Sequence, residues 1–462
     1  MTTRLARRFA LALLAAVALA GTGHFVRSQT ALAQEAVAVA DWKTPDYAKI
    51  FGDPDDEKDH EKRLTAYMIG VRRVKLAMPI LNGVVTSHRS PMVREAAAWA
   101  LGRIGDYASI APLEKAMSDP DVRVRAAAID AIGNYDVTDT FAILEKIANG
   151  PNGDDALLAA KALATKDDPI RKPYLARVKA SRPDRFLARG RPLTAKQGNS
   201  FYVDATAGSD KNPGTLSKPF KTMGRAIKAV AGASGDRVFA TSGDKQEPFR
   251  ESVDVPPDKA GVLNQPTFLG AWPGRPAPII DLTKKGKPGP TPDKVGIRIR
   301  ASYTEVRGFV VRGAYSGIDI DGARGCVVAE CTVERCLRHG IFFYYAPEGT
   351  IIDPRVSDTD FQGISVRSSP KAVVIGGRSI NNKVNGLLFL WESDDALVHD
   401  FTAQGNQFGI GFIHGSNAGR VIRAKFEKNR DADVYTDGDS DAQMIDTAYS
   451  AASAPPETPA KK

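Results

Sequence analysis

A glycine recurs every 23 residues through the C-terminal half of the chain, at Gly317, Gly340, Gly363, Gly386 and Gly409. Each is followed directly by a large aliphatic residue and, two positions later, by a second apolar residue. Apolar residues at alternate positions predict a β-strand, and their recurrence at a fixed interval predicts a solenoid. A helical repeat would show a periodicity of about 3.6 residues within each unit, and these units do not. We therefore predict a parallel β-helix whose successive turns stack their strands.

The register of this repeat determines which side chains share the outer face. Positions two and four after each glycine should face solvent, and equivalent residues of adjacent turns should lie about 4.8 Å apart. Gly296 extends the series backwards by 21 residues. The first outward group is Arg298, Arg300, Asp319, Asp321, Tyr344 and Arg367. Arginine can pair with the carboxylate of an acidic sugar, and the acids can take hydroxyls or Ca²⁺. The alternative is a row of weak surface salt bridges.

A second outward group is apolar and consists of Phe342, Tyr344, Leu388, Leu390 and Ile413. Exposed apolar residues in a row indicate that something covers them. The cover could be another part of the chain, a neighbouring subunit or a glycan. We expect it to come from the same chain.

Position five belongs to the turn that leaves the strand, where Tyr345, Trp391 and His414 stand. Trp391 is followed by Glu392, and this pair would suit sugar binding. The alternative is an ordinary solvated turn.

Near the end of the chain, Asp437, Asp439 and Asp441 alternate in a pattern similar to half of a Ca²⁺-binding loop. A complete EF-hand loop would need glutamate at its twelfth position, which is Ala448. These aspartates therefore predict a metal site, and the expected ion is Ca²⁺.

The three cysteines, Cys326, Cys331 and Cys336, fall within one turn of the repeat. Their odd number excludes complete pairing among themselves. We interpret them as small inward-facing residues, because a metal site would lack the usual close ligand pair and a fourth ligand.

An alanine-rich segment between residues 61 and 170 carries a second repeat, with a period of 31 residues at Ala100, Ala131 and Ala162. The stretch from Val93 to Gly102 resembles the second half of a HEAT-like repeat, and Val124 to Gly133 echoes it. Three or four helix pairs are therefore predicted to stack as a short solenoid. Such arrays usually bind partners, so a protein partner is possible here. A plain helical spacer remains the alternative.

The start of the chain has the pattern of an export signal. Arg4, Arg7 and Arg8 precede an apolar run, and Ala31-Leu32-Ala33 offers a cleavage site. We therefore predict a signal peptide at 1–33, used by the Sec or the twin-arginine route, and a periplasmic or secreted protein without a transmembrane segment. The net charge of +9 includes four arginines of this leader, so the remainder would be only mildly basic and shows no nucleic-acid footprint.

The remaining boundaries follow from composition. We predict an extended arm at 34–60, a linker rich in Arg, Lys and Pro at 171–198, a β-helix at 199–449 and a disordered tail at 450–462.

The segment from Phe201 to Pro276 carries the most family-specific residues. It begins with Phe201-Tyr202-Val203-Asp204 and continues with Gly208 to Thr215 and Lys218-Pro219-Phe220-Lys221-Thr222. It resembles the N-terminal part of secreted right-handed β-helix proteins of the pectate-lyase-like superfamily, in particular those similar to family nine polysaccharide lyases. The resemblance covers residues 199 to 281, and the later repeats agree with it to about residue 440. It implies the fold, and it points to action on acidic polysaccharides.

A lyase of that superfamily needs a group that neutralises the uronate carboxylate and a base that removes the C5 proton. Arg300 and Arg367, with Asp321, are our candidate catalytic residues. Arg298, Asp319, Tyr344, Tyr345, Trp391, Glu392 and His414 are our candidate binding residues. The clustered Ca²⁺-binding aspartates of family nine lyases have no clear match in the core repeats, and a hydrolase would need paired carboxylates across a cleft. We therefore predict a protein that acts on or binds uronate-containing polysaccharide. The alternative is a non-catalytic scaffold or glycan-binding protein.

Overall fold

The computed structural model describes residues 45–55, 58–151, 153–164, 168–182, 198–263, 265–283 and 290–453. The predicted signal peptide lies outside the described residues. The chain divides into two compact units, of which the first ends at Pro54 and the second begins at Asp55. The described part of the first unit contains helix α1 (Tyr47–Gly52), where the Asp46 carboxylate accepts the amide N–H of Lys49 at 3.1 Å.

The second unit begins with a stack of helices, which we call the helical array. Three antiparallel pairs, α3/α4, α5/α6 and α7/α8, are flanked by α2 and α9, which confirms the predicted HEAT-like solenoid. The bounds are α2 (Asp59–Val71), α3 (Met78–Ser87), α4 (Pro91–Ile104), α5 (Ile110–Ala116), α6 (Val122–Ile132), α7 (Thr138–Ala148), α8 (Gly153–Ala164) and α9 (Lys172–Ser181).

The 31-residue repeat of small residues is explained by close packing between successive helices. A Cβ atom added to Gly102 would lie 2.7 Å from the Cα of Ala131, and one added to Gly133 would lie 2.9 Å from the Cβ of Ala162. Ala100, Ala131 and Ala162 are buried. Any larger residue at these contacts would push the helices apart, because packed interiors have no spare volume.

The β-helix follows and consists of three parallel sheets. Within the described residues, the first sheet has the order β1-β2-β4-β7-β10-β13-β16-β19-β22-β25, the second β23-β20-β17-β14-β11-β8-β5, and the third β26-β24-β21-β18-β15-β12-β9-β6-β3. From β6 to β23 each turn contributes one strand to each sheet, so equivalent strands stack directly.

The strand bounds are β1 (Ser200–Asp204), β2 (Arg237–Thr241), β3 (Val253–Val255), β4 (Thr267–Ala271), β5 (Ile279–Asp281), β6 (Val295–Ile299), β7 (Thr304–Arg307), β8 (Val310–Arg312), β9 (Ser316–Asp321), β10 (Val327–Ala329), β11 (Thr332–Glu334), β12 (Ile341–Tyr344), β13 (Thr350–Ile352), β14 (Arg355–Ser357), β15 (Ile364–Arg367), β16 (Val373–Ile375), β17 (Arg378–Ile380), β18 (Asn385–Leu390), β19 (Leu397–His399), β20 (Thr402–Gln404), β21 (Phe408–Ile413), β22 (Gly419–Ile422), β23 (Lys425–Glu427), β24 (Ala432–Thr436), β25 (Ala442–Ile445) and β26 (Ala451–Ser453).

The third sheet has the register that the glycine repeat predicts. Asp319 pairs with Phe342, and Asp321 pairs with Tyr344. The glycines are required by close approach: a Cβ atom on Gly340 would lie 2.6 Å from the carbonyl oxygen of Gly363 and would collide with Val356. The repeat therefore marks the corner where two sheets and two turns meet.

The interior is filled by aligned side chains, some of which are polar. Asn382 donates through Nδ2 to Asn406 Oδ1 at 2.8 Å, and Asn406 donates to Asn429 Oδ1 at 3.3 Å. Cys326, Cys331 and Cys336 are free thiols with at most 1 % exposure, which agrees with their interpretation as small inward-facing residues. Burial raises the pKa of each thiol to about 12, so all three stay protonated.

Helix α10 (Met223–Ala229) covers the N-terminal end of the β-helix. The hydroxyl of Thr222 accepts the amide N–H of Arg225 and caps the helix. Met223, Ala226 and Ile227 are buried against the first strands. The helix removes part of the apolar end of the solenoid from water.

The helical array packs against the turns that follow the third sheet. Arg63 of α2 is 1 % exposed and donates to the carbonyl oxygen of Arg300 at 2.6 Å. Arg324, in the turn after β9, is 3 % exposed and donates to Asp130 of α6 at 2.6 Å and to Glu348 at 2.9 Å. The array thus uses one face for the β-helix, an intramolecular contact that its repeat pattern did not reveal.

Three boundaries differ from the predicted ones. The segment 34–60 contains α1 and the start of α2 instead of an extended arm. The segment 171–198 begins with α9, whose Val178 is buried against the array. Strand β26 adds to the third sheet within the predicted tail. Helix α9 packs on the array and β26 pairs with β24, and local composition shows neither of these neighbours.

The apolar row is largely covered. Leu388 and Leu390 are 1 % and 3 % exposed. Tyr435 of the same chain lies against Gly411, the partner of Leu388, and accepts a hydrogen bond from Asn385 at 2.9 Å. None of the helices within the described ranges is long and apolar enough to span a bilayer.

Candidate functional site

A cavity of about 320 Å³ opens on the third sheet where β6, β9 and β12 lie side by side. Its lining combines cations, acids and aromatic rings: Asp293, Val295, Arg298, Tyr315, Ser316, Asp319, Arg338, His339 and Phe342. We call this the Asp319 cavity.

The solenoid repeat explains how these residues meet. Arg298, Asp319 and Phe342 occupy position two after their glycines and pair across adjacent strands. Tyr315 and Arg338 lie two residues before their glycines, on the turns that enter β9 and β12. Stacking of successive turns therefore places two columns of side chains around one opening.

Asp319 has the chemistry of a titrating group near neutrality. Burial raises the pKa of its carboxyl to about 7, and Asp321 adds to this, although Arg298 and Ser316 act in the opposite direction. The Oδ1 atom is buried without a hydrogen-bond partner among the described residues. Such a carboxyl can gain or lose a proton at physiological pH.

His339 forms the floor of the cavity and is 3 % exposed. Its ring stacks on Phe342 with centroids 4.5 Å apart and an interplanar angle of 22°. Neither ring nitrogen has a hydrogen-bond partner among the described residues. Burial, followed by the charges of Arg338 and Arg367, lowers its pKa well below the ordinary value, so the imidazole is neutral.

The cations of the cavity are Arg298 and Arg338. Arg298 is exposed and makes no salt bridge within the described part of the chain. Arg338 donates to the hydroxyl oxygen of Tyr315 at 3.4 Å. Because that oxygen accepts from Arg338, the Tyr315 hydroxyl hydrogen can point away from Arg338 and donate to another acceptor.

A row of stacked side chains continues from the cavity along the third sheet. Phe342 lies 5.8 Å from Tyr344 between ring centroids. The Arg367 guanidinium lies 5.4 Å from the Tyr344 ring and 5.9 Å from the Trp391 ring. Trp391 stacks on His414 at 4.5 Å and 25°. We call Tyr344, Arg367, Trp391 and His414 the stacked ladder.

The structure divides the first predicted outward group among four places. Arg298 and Asp319 line the cavity, whereas Tyr344 and Arg367 belong to the ladder. Arg300 pairs with Asp254 at 2.5 Å, and the Asp321 carboxylate lies 3.3 Å from Nε2 of His60. The candidate catalytic residues Arg300, Arg367 and Asp321 therefore do not line the cavity.

Asp321 differs chemically from Asp319. Burial alone would raise the pKa of Asp321, but the hydrogen bond with His60 and the nearby charges of His60, Arg63 and Arg298 leave it below the ordinary value. It is an ionised carboxylate held by the helical array. In the structure, the Asp321 carboxylate joins the helical array to the β-helix.

The predicted turn residues all lie where expected. Tyr345, Trp391, Glu392 and His414 have positive φ angles of 45°, 58°, 54° and 57°. Tyr345 contacts Tyr344, with ring centroids 4.7 Å apart. Glu392 lies 4.0 Å from Arg72 of the helical array, and burial raises its pKa above the ordinary value.

The C-terminal aspartates contact the previous turn of the β-helix. Asp437 accepts the amide N–H of His414, and Asp441 accepts that of Ala418, both at 2.5 Å. Across the described ranges, no three His, Cys, Asp or Glu side chains converge as metal ligands. Asp437, Asp439 and Asp441 therefore do not form a ligand cluster in this structure, and Ca²⁺ binding by them stays a prediction.

Sequence reasoning missed Tyr315, Arg338 and His339. The sequence contained a signal for His339, because the residues directly before the glycines also form a column: Val295, Ser316, His339, Gln362, Asn385 and Phe408. The prediction assigned outward positions only to residues that follow each glycine, so it omitted this column. The pairing of Val295 with Ser316 and of Asn385 with Phe408 shows that it shares the register of the strand.

Two family models match separate regions of the chain. Residues 78–164 match the model of HEAT repeats, and residues 295–447 match that of the right-handed β-helix region. No match to a curated protein sequence is found.

Several solved structures are similar to this chain at low identity and low TM-score. An alginate lyase from Paenibacillus sp. is 14% identical with a TM-score of 0.35, and covers 56% of this chain and 96% of its own. A rhamnogalacturonan lyase is 15% identical with a TM-score of 0.30, and covers 53% and 75%. A lacto-N-biosidase from Eubacterium ramulus is 10% identical with a TM-score of 0.29, and covers 84% and 97%. Together with the two family models, the structure identifies a HEAT-repeat array followed by a right-handed parallel β-helix.

Proposed function

We propose that the protein binds an acidic polysaccharide in the Asp319 cavity and cleaves it by β-elimination at a uronate residue. One observation carries this proposal: a carboxyl with a pKa of about 7 lies in a cavity that also holds two arginines. A uronate supplies a carboxylate for the arginines and an acidic C–H bond for the base. The basic, apolar start of the chain supports an exported location for this activity.

Four of the lining residues have distinct parts in this reaction. Arg298 and Arg338 pair with the uronate carboxylate, which makes the neighbouring C5 proton more acidic. The Asp319 carboxylate takes that proton. The electrons of the C5–H bond form the C4–C5 double bond, and the C4–O4 bond breaks. The Tyr315 hydroxyl donates its proton to the departing O4 oxygen, and the proton held by Asp319 then returns to Tyr315 through solvent.

The test follows the ultraviolet absorbance of unsaturated chain ends when the protein is incubated with pectate, alginate and other uronate polymers. Asp319→Asn should reduce the rate by about a hundredfold or more, because it removes the base. Glu330→Gln is the matched control, since Glu330 is an exposed acid that pairs with Arg307 outside the cavity. The wild-type rate should rise with pH through about 7 as Asp319 ionises. A full rate in Asp319→Asn would contradict the assignment of the base.

The stacked ladder favours a second candidate function, which is retention of glycan without cleavage. The ladder joins the cavity through Phe342 and offers a binding surface that needs no chemistry. Measurable retention of a polymer by the wild type, with no unsaturated product from any polymer, would favour this binding role.

A further inference from the structure

The outer edges of the stacked ladder are rich in hydrogen-bond donors. Arginine and tryptophan side chains carry donors and no acceptor. The indole N–H of Trp391 donates to no residue of the described chain, and Trp391 is only half-buried. His414 follows it, with a side chain that is 40% exposed. A surface of this kind is complementary to a ligand that presents oxygen acceptors, above all carboxylates.

Arginines of the helical array partly balance the negative charge of the acidic side chains that border the ladder. Glu392 and Asp394 follow Trp391 on the same turn, and their charges would repel an anionic ligand. Arg72 lies 4.0 Å from Glu392, and Arg103 lies 3.7 Å from Asp394. Both arginines belong to the array, at the ends of α2 and α4. The packing of the array on the β-helix therefore makes this border less negative.

The ladder and the cavity are parts of one continuous surface. Phe342 of the cavity lies 5.8 Å from Tyr344 between ring centroids. The row continues through the contacts of Arg367 with Tyr344 and Trp391 and of Trp391 with His414, and each of these side chains is at least partly exposed. From the turn of Asp319 to that of His414 there are four steps along the solenoid, which correspond to about 19 Å. A monosaccharide cannot span that distance, whereas an extended chain of several sugar residues can.

We propose that the stacked ladder is a distal binding surface for the anionic polysaccharide whose reacting uronate occupies the Asp319 cavity. The occupant is an extended run of uronate residues, and its remote carboxylates and hydroxyls accept from Arg367 and Trp391. The helical array contributes through Arg72 and Arg103, which offset the acids beside the ladder. This inference rests on the proposed function, because the same polymer fills both places.

The test measures the affinity of the full chain for galacturonate and mannuronate chains, each as a disaccharide and as a long oligomer, by calorimetry. Trp391→Phe keeps an aromatic ring against His414 and removes the donor. Arg367→Gln removes the charge. Each should weaken binding of the long oligomers by about tenfold and leave disaccharide binding unchanged. Trp272→Phe is the matched control, because Trp272 also stacks with a tyrosine and an arginine, on the first sheet, and it should change nothing.

Other outcomes overturn the ladder proposal separately from the proposed function. Wild-type affinity for long oligomers in both ladder variants, with loss of binding in Asp319→Asn and Arg298→Gln, would leave the cavity as the site and exclude the ladder. Equal binding of polyglutamate, weakened by the same two variants, would mean that the ladder recognises charge alone and not a sugar chain. Failure of the wild type to bind any uronate chain would overturn both proposals.

Discussion

Asp319 and Asp321 extend from the same face of strand β9, two residues apart, yet they have opposite environments. The Asp319 carboxyl is held in the cavity, where burial raises its pKa to about 7. The Asp321 carboxylate lies 3.3 Å from His60 of the helical array, and its pKa is lowered. One strand thus presents a titrating group to the cavity and an ionised group to the array.

Asp319→Asn should stabilise the fold at high pH. The pKa of Asp319 rises from 3.8 to about 7 on folding, so the folded state binds more protons than the unfolded state between these values. The free energy of unfolding therefore falls as pH rises through this range, and asparagine removes that loss. At pH 8 we expect Asp319→Asn to be more stable than wild type by roughly 1–3 kcal/mol. Urea unfolding at pH 4 and pH 8 checks this, and an equal difference at both values would contradict it.

His339→Phe should make stability less dependent on acid pH. The pKa of His339 lies well below 6.5 in the folded state, so below 6.5 the unfolded chain binds a proton that the folded chain does not. Wild type should therefore lose up to about 1.4 kcal/mol per pH unit from this group as pH falls below that value. Phenylalanine keeps the stacking on Phe342 and cannot bind a proton, so the variant lacks this pH-dependent loss of stability. The measurement is the difference in unfolding free energy between variant and wild type from pH 7 to pH 5, and a difference that does not change with pH would be evidence against a neutral, buried imidazole.

Gly340→Ala should destabilise the β-helix, because its Cβ atom would lie 2.6 Å from the carbonyl oxygen of Gly363. The backbone at Gly363 cannot move aside as a flexible side chain can, so we expect the free energy of unfolding to fall by about 3 kcal/mol. Gly438→Ala is the control, since an added Cβ atom there meets no atom within 4 Å. Thermal unfolding of the two variants should separate them clearly. Similar melting temperatures would mean that the glycine repeat is not required by close packing.

Arg324→Ala should weaken the contact between the array and the β-helix. Arg324 is 3 % exposed and joins Asp130 of the array to Glu348 of the β-helix. Its removal leaves two acids at the contact without their cation, and we expect a loss of about 3 kcal/mol. Arg423→Ala removes an exposed pair with Asp400 and should leave the stability nearly unchanged. Limited proteolysis of the helical array should be faster in Arg324→Ala only. Equal rates in both variants would exclude Arg324 as a joint between the two parts.

The solenoid fold could be predicted from the sequence because each repeat interacts mainly with the repeats next to it in the chain. Gly317 and Gly340 mark the corners, and Ile318 and Ile341 alternate with outward residues, so register followed from spacing alone. The columns that contain Asp319 with Phe342, and Asp321 with Tyr344, were therefore predicted correctly. The same spacing placed Trp391 and His414 in one stack.

The site was predicted only in part, because it depends on which elements cover each column. Position two after the glycine contains Arg298 and Asp319, and both line the cavity. Position four contains Asp321, which the array covers through His60. Nothing in the repeat indicates where the array docks, since that contact joins residues 261 positions apart.

The sequence by itself thus determined the two solenoids and the register of the strands, because each turn repeats the same local interactions with its neighbours. Only the tertiary structure decided which carboxylate is buried as a titrating group and which is paired. It also brought Arg338 and His339 beside Asp319. Burial and charge at a site depend on every element that packs around it, and those elements come from distant parts of the chain.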